Sequence, residues 1–499
     1  MSEAAGSGMM AAAGAKAPVP AWATPLWTAL IVLALSVPRL YFAARYALIG
    51  DEVYYAIWSF YPGFGYFDHS PGVAWVVWLG RLLFGEGEWA VRSLFLASGL
   101  ATAALLYRIA LILFDDARAG AFAAIAYTVT PGLVISFTIA TPDGPSVLFW
   151  TATVWAIAEF TRSRNPNWWL AVGALAGLGL LSKYTVAFLG AGIVLYLVTS
   201  RERRAWLRHW QVWAGGLIAL AMFAPVVWID WQRDWFSFRF QLGRASFSER
   251  QLRLDETLRF QIETAVMLAP ALYVFAVLGI ACFIARRARA LALPLLTATP
   301  MLAYFIANSL FGRVNPNWVA PLFPVLALIG AWAAVNVRPR ARWLRWPLDA
   351  LRALHVPLGL SVILLVLYAI AFRTVPFYGP LPIAGYFQGW PELQRKISTL
   401  AEENGARWID TDTYTLNGWL GYYGRMVGDP LPVFQTAEPY RYTYMPPTPP
   451  ELARAPHLLV RQSGASAGTV GENGLLGVVS RDDTDGTPLQ YFAVYLERG

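Results

Sequence analysis

Residues 212–229 read VWAGGLIALAMFAPVVWI, a run of eighteen without a charged side chain. Wound as an α-helix at about 1.5 Å per residue, it spans about 27 Å, close to the roughly 30 Å hydrocarbon core of a bilayer. Comparable runs extend from Pro25 to Leu40 and from Val91 to Phe114. The whole chain of 499 residues is 57% hydrophobic and 14% charged, where a soluble domain carries about 25% charged residues. A soluble globule is excluded, and the sequence predicts a polytopic α-helical membrane protein. Apolar runs at 24–45, 89–113, 119–138, 144–161, 168–183, 185–199, 210–230, 265–285, 290–310, 317–336 and 354–372 give an expectation of about 11 to 13 transmembrane helices.

The net charge of +8 could suggest nucleic acid, but the basic residues sit in short connections: Arg162 and Arg164; Arg201, Arg203, Arg204 and Arg208; Arg286, Arg287 and Arg289; Arg338 to Arg352. Such loops face the cytoplasm, so the charge is a topology signal and no nucleic-acid partner is expected. Alternation then puts the amino terminus inside, with residues 1–22 as a disordered cytoplasmic tail, 23–375 as the membrane domain, and 376–499 outside. Cys282 is the sole cysteine and His69, His209, His355 and His457 are scattered. An internal disulfide, a cysteine-rich metal centre and a multi-histidine site are therefore not expected. No phosphate-binding Gly-rich loop or dinucleotide fingerprint occurs, so nucleotide-driven transport has no support.

The connections on the other face collect the unusual residues: Asp51-Glu52, Asp68-His69-Ser70-Pro71, Thr141-Pro142-Asp143-Gly144-Pro145, Ser182-Lys183-Tyr184, the stretch 231–264, and Arg313-Val314-Asn315-Pro316-Asn317-Trp318. Ionisable groups beside membrane-embedded runs mark a functional site by default. Each also has a plainer reading. Asp51, Glu52 and Asp143 are a general base and its companions, or helix caps. Lys183 and Arg313 contact a phosphate, or reach outward to water. His69 belongs to a structured turn or, less favoured, to a metal site. Within the first outer connection, 46–88, Glu52 to Trp58 and Gly72 to Phe84 have helical spacing and abundant aromatics, which predicts short helices on the bilayer surface. The stretch 231–264 mixes arginines, acids and aromatics, as in an interfacial element.

In these motifs the chain resembles the GT-C superfamily of membrane glycosyltransferases, as a bacterial relative of protein O-mannosyltransferases and of the lipid A aminoarabinose transferase. The matching stretches are Asp51-Glu52-Val53-Tyr54-Tyr55, Gly65 to Pro71, Thr141 to Pro145, Leu180 to Thr185 and Asn315 to Pro321, in the family's order. Ser70 departs from the second proline common in relatives. The resemblance implies an inverting sugar transfer from a polyprenyl-phosphate donor to an acceptor hydroxyl, on the periplasmic side of the bacterial inner membrane; phosphate is already a good leaving group, so no cofactor or metal is required. The acceptor would be lipid A, core oligosaccharide, another envelope glycan or a protein. Asp51 would be the general base, Asp143 a second catalytic acid, and Lys183 and Arg313 the phosphate ligands. Glu52, Tyr55, Asp68, His69, Tyr184 and Asn317 would contact substrate. The rival readings are a transporter or flippase of lipid-linked sugars and an oligosaccharide ligase.

After Phe372 the composition changes. Pro376, Gly379, Pro380 and Pro382 mark a linker. A helix is expected at 391–404 and strands at 407–410, 431–435, 457–462, 474–480 and 489–497, forming a small periplasmic α/β domain. Asp410, Asp412 and Tyr414 cluster at a strand end as candidate acceptor contacts.

Overall fold

The computed structural model describes residues 18–245, 251–380, 382–429, 431–465 and 472–498. Most of the tail expected at 1–22, and residues 246–250 of the stretch 231–264, lie outside the described residues. The first helix, α1 (Pro25–Arg45), is followed by the shorter α2 (Gly50–Trp58) and α3 (Gly72–Phe84), then by α4 (Glu88–Phe114). Next come α5 (Ala117–Thr128), α6 (Pro131–Thr138), α7 (Asp143–Ser163), α8 (Trp168–Ser182), α9 (Ala187–Val198), α10 (Arg201–Ala205) and α11 (Trp210–Gln232). The bundle is completed by α12 (Phe236–Ala245), α13 (Leu254–Leu268), α14 (Pro270–Ile284), α15 (Ala292–Ser309), α16 (Phe323–Asn336) and α17 (Arg342–Phe372).

Among the described residues, six helical segments are long and apolar enough to cross a membrane, or nine if each sharply bent pair is one crossing. The expected 11 to 13 are not reached by that measure, and the difference has local causes. The run 119–138 is broken between α5 and α6 by a 67° bend: Pro131 has no N–H to continue the ladder and pushes Thr130 out of the helical region, to φ −74° and ψ 134°. The run 265–285 is not one helix either. Ala269 takes a positive φ of 66° before Pro270, and α13 meets α14 at 110°. The apolar run 185–199 turns through 108° into the arginine-rich segment Arg201–Arg208. Helix α8, with fifteen residues, is about 22 Å long and short for a crossing. Small residues let helices approach closely: a Cβ at Gly173 of α8 would fall 2.0 Å from the carbonyl oxygen of Gly215 in α11.

Past α17 the chain forms a short hairpin, β1 (Thr374–Val375) and β2 (Gly379–Pro380), and then an α/β layer. Its elements are α18 (Trp390–Glu403), β3 (Trp408–Thr411), α19 (Tyr414–Met426), β4 (Val433–Phe434), β5 (His457–Ser463), β6 (Leu475–Asp482) and β7 (Pro488–Glu497). The strands lie in the order β4-β3-β5-β7-β6, with β3 parallel to β4 and β5 and the other pairs antiparallel. Every strand expected from alternation has a counterpart here.

The layer clamps onto the connection that follows α1. Gly50 and Gly418 let α2 and α19 touch: a Cβ at Gly418 would lie 2.8 Å from the Val53 side chain. The Trp419 indole donates to the Leu48 carbonyl at 2.8 Å, the Leu48 amide donates to the Tyr423 hydroxyl at 2.9 Å, and Trp390 stacks on Trp419 with ring centroids 3.6 Å apart. The expectation that α2 lies on the bilayer surface is thereby corrected, because residues Glu52 to Trp58 are buried. Its aromatics satisfy their hydrophobicity against protein and not lipid. By contrast, α3 leaves Trp78, Leu79, Leu82, Leu83 and Phe84 exposed, as an interfacial helix would.

Candidate active site

Between the helix ends and the α/β layer lies a cavity of about 410 Å³. Eight of the residues singled out from sequence line it: Asp51, Tyr55, Asp68, His69, Asp143, Lys183, Tyr184 and Asn317. Asp51 stands in the first turn of α2 and is exposed. Asp143 is the first residue of α7, following Pro142. Lys183 ends α8, where an extended backbone (φ −157°, ψ 133°) separates it from the turn Tyr184–Val186. That break aims the lysine inward. Its Nζ donates to Asp143 Oδ1 at 2.5 Å and to the Asn317 carbonyl at 3.3 Å, while the Asn317 amide faces Asp143 Oδ2 at 3.5 Å. Both members of the ion pair are buried, so each supplies the counter-charge the other needs.

The loop after α2 contributes a second charged knot. Asp68 receives the Tyr54 hydroxyl at 2.7 Å and Arg441 Nη1 at 2.5 Å, and its carbonyl accepts from the Gln241 amide. Burial alone would lower the Arg441 guanidinium, yet the Asp68 carboxylate outweighs it and holds the group above its ordinary value. Burial and then the charges of Asp51 and Asp68 push the Tyr55 hydroxyl well up. The Tyr184 hydroxyl meets Ser237 Oγ at 3.0 Å, and Asp230 accepts the Ser237 and Phe238 amides at the start of α12. Phe188, Leu242, Tyr304, Phe305 and Trp318 complete an apolar side.

Two expected contacts are not brought to the cavity. Glu52 is fully buried and accepts from Arg92 Nε at 2.7 Å, Arg92 Nη2 at 2.5 Å, the Ile49 amide at 3.0 Å and the Ala140 amide at 2.9 Å. With its acceptors occupied, it ties α2 to α4 and to the turn before α7, and has nothing left for a substrate. Arg313 is exposed in the loop after α15 and lines no wall of the cavity. Of the carboxyl-terminal cluster, Tyr414 reaches the cavity. Asp410 is spent on the Thr411 amide and on the Thr436 amide and hydroxyl. Arg441 and Gln241 carried no sequence signal, since nothing local distinguishes them from other surface polar residues. Among the described residues, no group of three or more His, Cys, Asp or Glu side chains gathers that could hold a metal ion.

Known glycosyltransferases are similar to this chain in fold and, over part of its length, in sequence. The solved structure of ArnT from Cupriavidus metallidurans bound to undecaprenyl phosphate shares the fold, with a TM-score of 0.62 and 17% identity, over 95% of this chain and 98% of that one. The family model described as dolichyl-phosphate-mannose-protein mannosyltransferase matches residues 68–229. Lipid A galacturonosyltransferase RgtD of Rhizobium johnstonii is 23% identical over 74% of this chain and 76% of its own length. An undecaprenyl phosphate-alpha-4-amino-4-deoxy-L-arabinose arabinosyl transferase of Pseudomonas paraeruginosa is 26% identical over 44% of this chain, spanning 39% of the relative.

Proposed function

We propose that the protein transfers a sugar from a polyprenyl-phosphate donor to an acceptor hydroxyl, with inversion, at the periplasmic face of the bacterial inner membrane. The observation that carries this reading is the cavity in which an exposed carboxylate, Asp51, shares a wall with the buried Lys183–Asp143 pair. In the reaction, Asp51 takes the proton of the acceptor hydroxyl as its oxygen attacks the anomeric carbon. The bond from that carbon to the phosphate oxygen breaks, and the lipid phosphate leaves with the electron pair. Lys183 stabilises the charge developing on the phosphate. Asp143 holds Lys183 until the donor arrives and then orients a sugar hydroxyl, with Asn317 beside it. Tyr55, Asp68, His69 and Tyr184 line the sugar's surroundings, and the apolar side faces the prenyl chain. Phosphate is already a competent leaving group, so no cofactor is invoked. Lipid A leads among the acceptors, because a relative similar over three-quarters of both chains is named for it.

The test is Asp51→Asn in a strain lacking the chromosomal gene, read by mass spectrometry of lipid A, core and other envelope glycans. The expected result is loss of one sugar from one glycan, restored by the wild-type gene and not by the variant. Full restoration by Asp51→Asn would remove the base. Translocation of the lipid-linked sugar with no new glycosidic bond would favour a flippase.

A further inference from the structure

Asp51 lines two cavities. One is the cavity shared with Lys183; the other, of about 710 Å³, is walled by Leu365, Val366 and Ile370 of α17 and by Trp390, Trp419 and Phe492 of the α/β layer. The first turn of α19 stands at the boundary. Tyr414 faces the first cavity, while Thr413, Thr415 and Leu416 face the second. From this position the Tyr414 hydroxyl donates to Asp51 Oδ1 at 3.1 Å, across 363 residues of sequence.

We propose that Tyr414 is a positioning residue: its hydroxyl fixes the Asp51 carboxylate at the boundary between the two cavities, so that the carboxyl-terminal layer completes the site. The role rests on Asp51 being the base, as argued above. The tyrosine is itself held. Its ring packs on Tyr54 at 4.9 Å and under the Arg441 guanidinium at 4.6 Å, and Arg441 is anchored by Asp68. Burial, and then the Asp51 charge, push the Tyr414 hydroxyl above its ordinary value, so it stays a donor throughout the working range. A hydroxyl donated to a carboxylate favours the ionised form, which is the form that accepts a proton. Among the described residues, the other titratable groups lining the two cavities with Asp51 are Tyr54 and Tyr55 on its own helix, Asp68 and His69 in the next loop, Asp143 at the start of α7, Lys183 at the end of α8, Tyr184 just after it, Tyr304 in α15 and, in the second cavity, Tyr386. None of these changes when one hydroxyl is deleted.

The experiment compares the purified full chain with Tyr414→Phe, which keeps the ring contacts. A water-soluble carbodiimide with glycine methyl ester labels protonated carboxyls, and the pH of half-maximal labelling at Asp51 is read by peptide mass spectrometry. The expected result is a rise of about half to one pH unit in the variant, roughly a three- to tenfold change in the protonated fraction, with Glu451 unmoved. Tyr442→Phe is the packing control: that hydroxyl donates to the Tyr414 carbonyl at 3.5 Å, and its midpoint stays at the wild-type value. An unchanged midpoint in Tyr414→Phe, or an equal shift in Tyr442→Phe, would overturn the assignment. The labelling needs no sugar donor, so its outcome is separate from whether Asp51→Asn loses transfer.

Discussion

Replacing Glu52 by Gln keeps the volume of the side chain and removes its charge, at a point where the structure leaves no slack. The carboxylate accepts four hydrogen bonds, two of them from Arg92, and both side chains are fully shielded from solvent. A glutamine can accept on one oxygen only, so in either orientation its amide must face an Arg92 N–H together with the Ala140 or the Ile49 amide, donor against donor. Breaking a buried ion pair by removing one partner costs about 3–5 kcal/mol. The lower end is expected here, because Arg92 keeps the Tyr46 and Ala47 carbonyls at 2.5 and 2.9 Å. Thermal unfolding of the purified protein, followed by intrinsic fluorescence in one detergent, should show a clear loss of melting temperature for Glu52→Gln. Arg92→Met on top of it should restore part of the loss, since the second substitution removes the stranded charge and leaves an apolar filler. An unchanged melting temperature with abolished transfer would refute the reasoning and return Glu52 to the chemistry.

Gly173→Ala drives a methyl into the Gly215 carbonyl and should cost about 1–3 kcal/mol by overpacking, seen as a lower melting temperature; no change would mean that α8 and α11 cross less closely. Lys183→Ala should weaken binding of undecaprenyl phosphate at least several-fold in a lipid-competition assay, and unaltered binding would end its role as phosphate ligand. In the α/β layer, burial favours a protonated Asp482, but the bonds from Lys396 and Ser480 prevail and hold its carboxyl below the usual range. A depressed acid stabilises the fold above its unfolded pKa and loses that contribution as pH falls through the folded value. The difference in melting temperature between wild type and Lys396→Met, worth about 0.2–1 kcal/mol for this partly exposed pair, should therefore be present at pH 6, begin to shrink only below about pH 3.8, and vanish once the pH has fallen past the depressed folded value.

What the sequence made legible follows from the range of the forces involved. Apolar length and strand alternation are local, so α1, α4, α11 and the strands of the carboxyl-terminal layer could be read directly. The breaks at Ala269-Pro270 and Thr130-Pro131 were also visible as prolines, but hydropathy averages over them, and two single runs were expected where the helices bend. The site was legible where scarcity of charge made each ionisable residue conspicuous, as with Asp51, Asp143 and Lys183. Conspicuousness does not separate a carboxylate that faces a cavity from one that faces an arginine forty residues on. Glu52 and Asp51 are neighbours in sequence, yet about 100° of helix rotation sends one into the Arg92 clamp and leaves the other lining the cavity. Arg441 and Tyr414 reach the site only because the carboxyl-terminal layer folds back onto α2, and no local pattern encodes that return.

The Lys183–Asp143 pair carries a consequence for the proposed chemistry. An ammonium and a carboxylate at 2.5 Å, both buried, neutralise one another, which is how so many charges can stand at the edge of an apolar bundle. A lipid phosphate cannot use Lys183 fully while that bond persists, so donor binding must pull the ammonium toward the phosphate and leave Asp143 to hydroxyls of the sugar and to Asn317. Asp143→Asn removes the competitor. Undecaprenyl phosphate, which has no sugar, should then bind more tightly, while transfer slows because the sugar loses its orienting carboxylate. Opposite movements of lipid-phosphate affinity and turnover in one variant are hard to obtain from a damaged fold, which would lower both. A parallel loss of both would place Asp143 among the residues that merely hold α7 against α8.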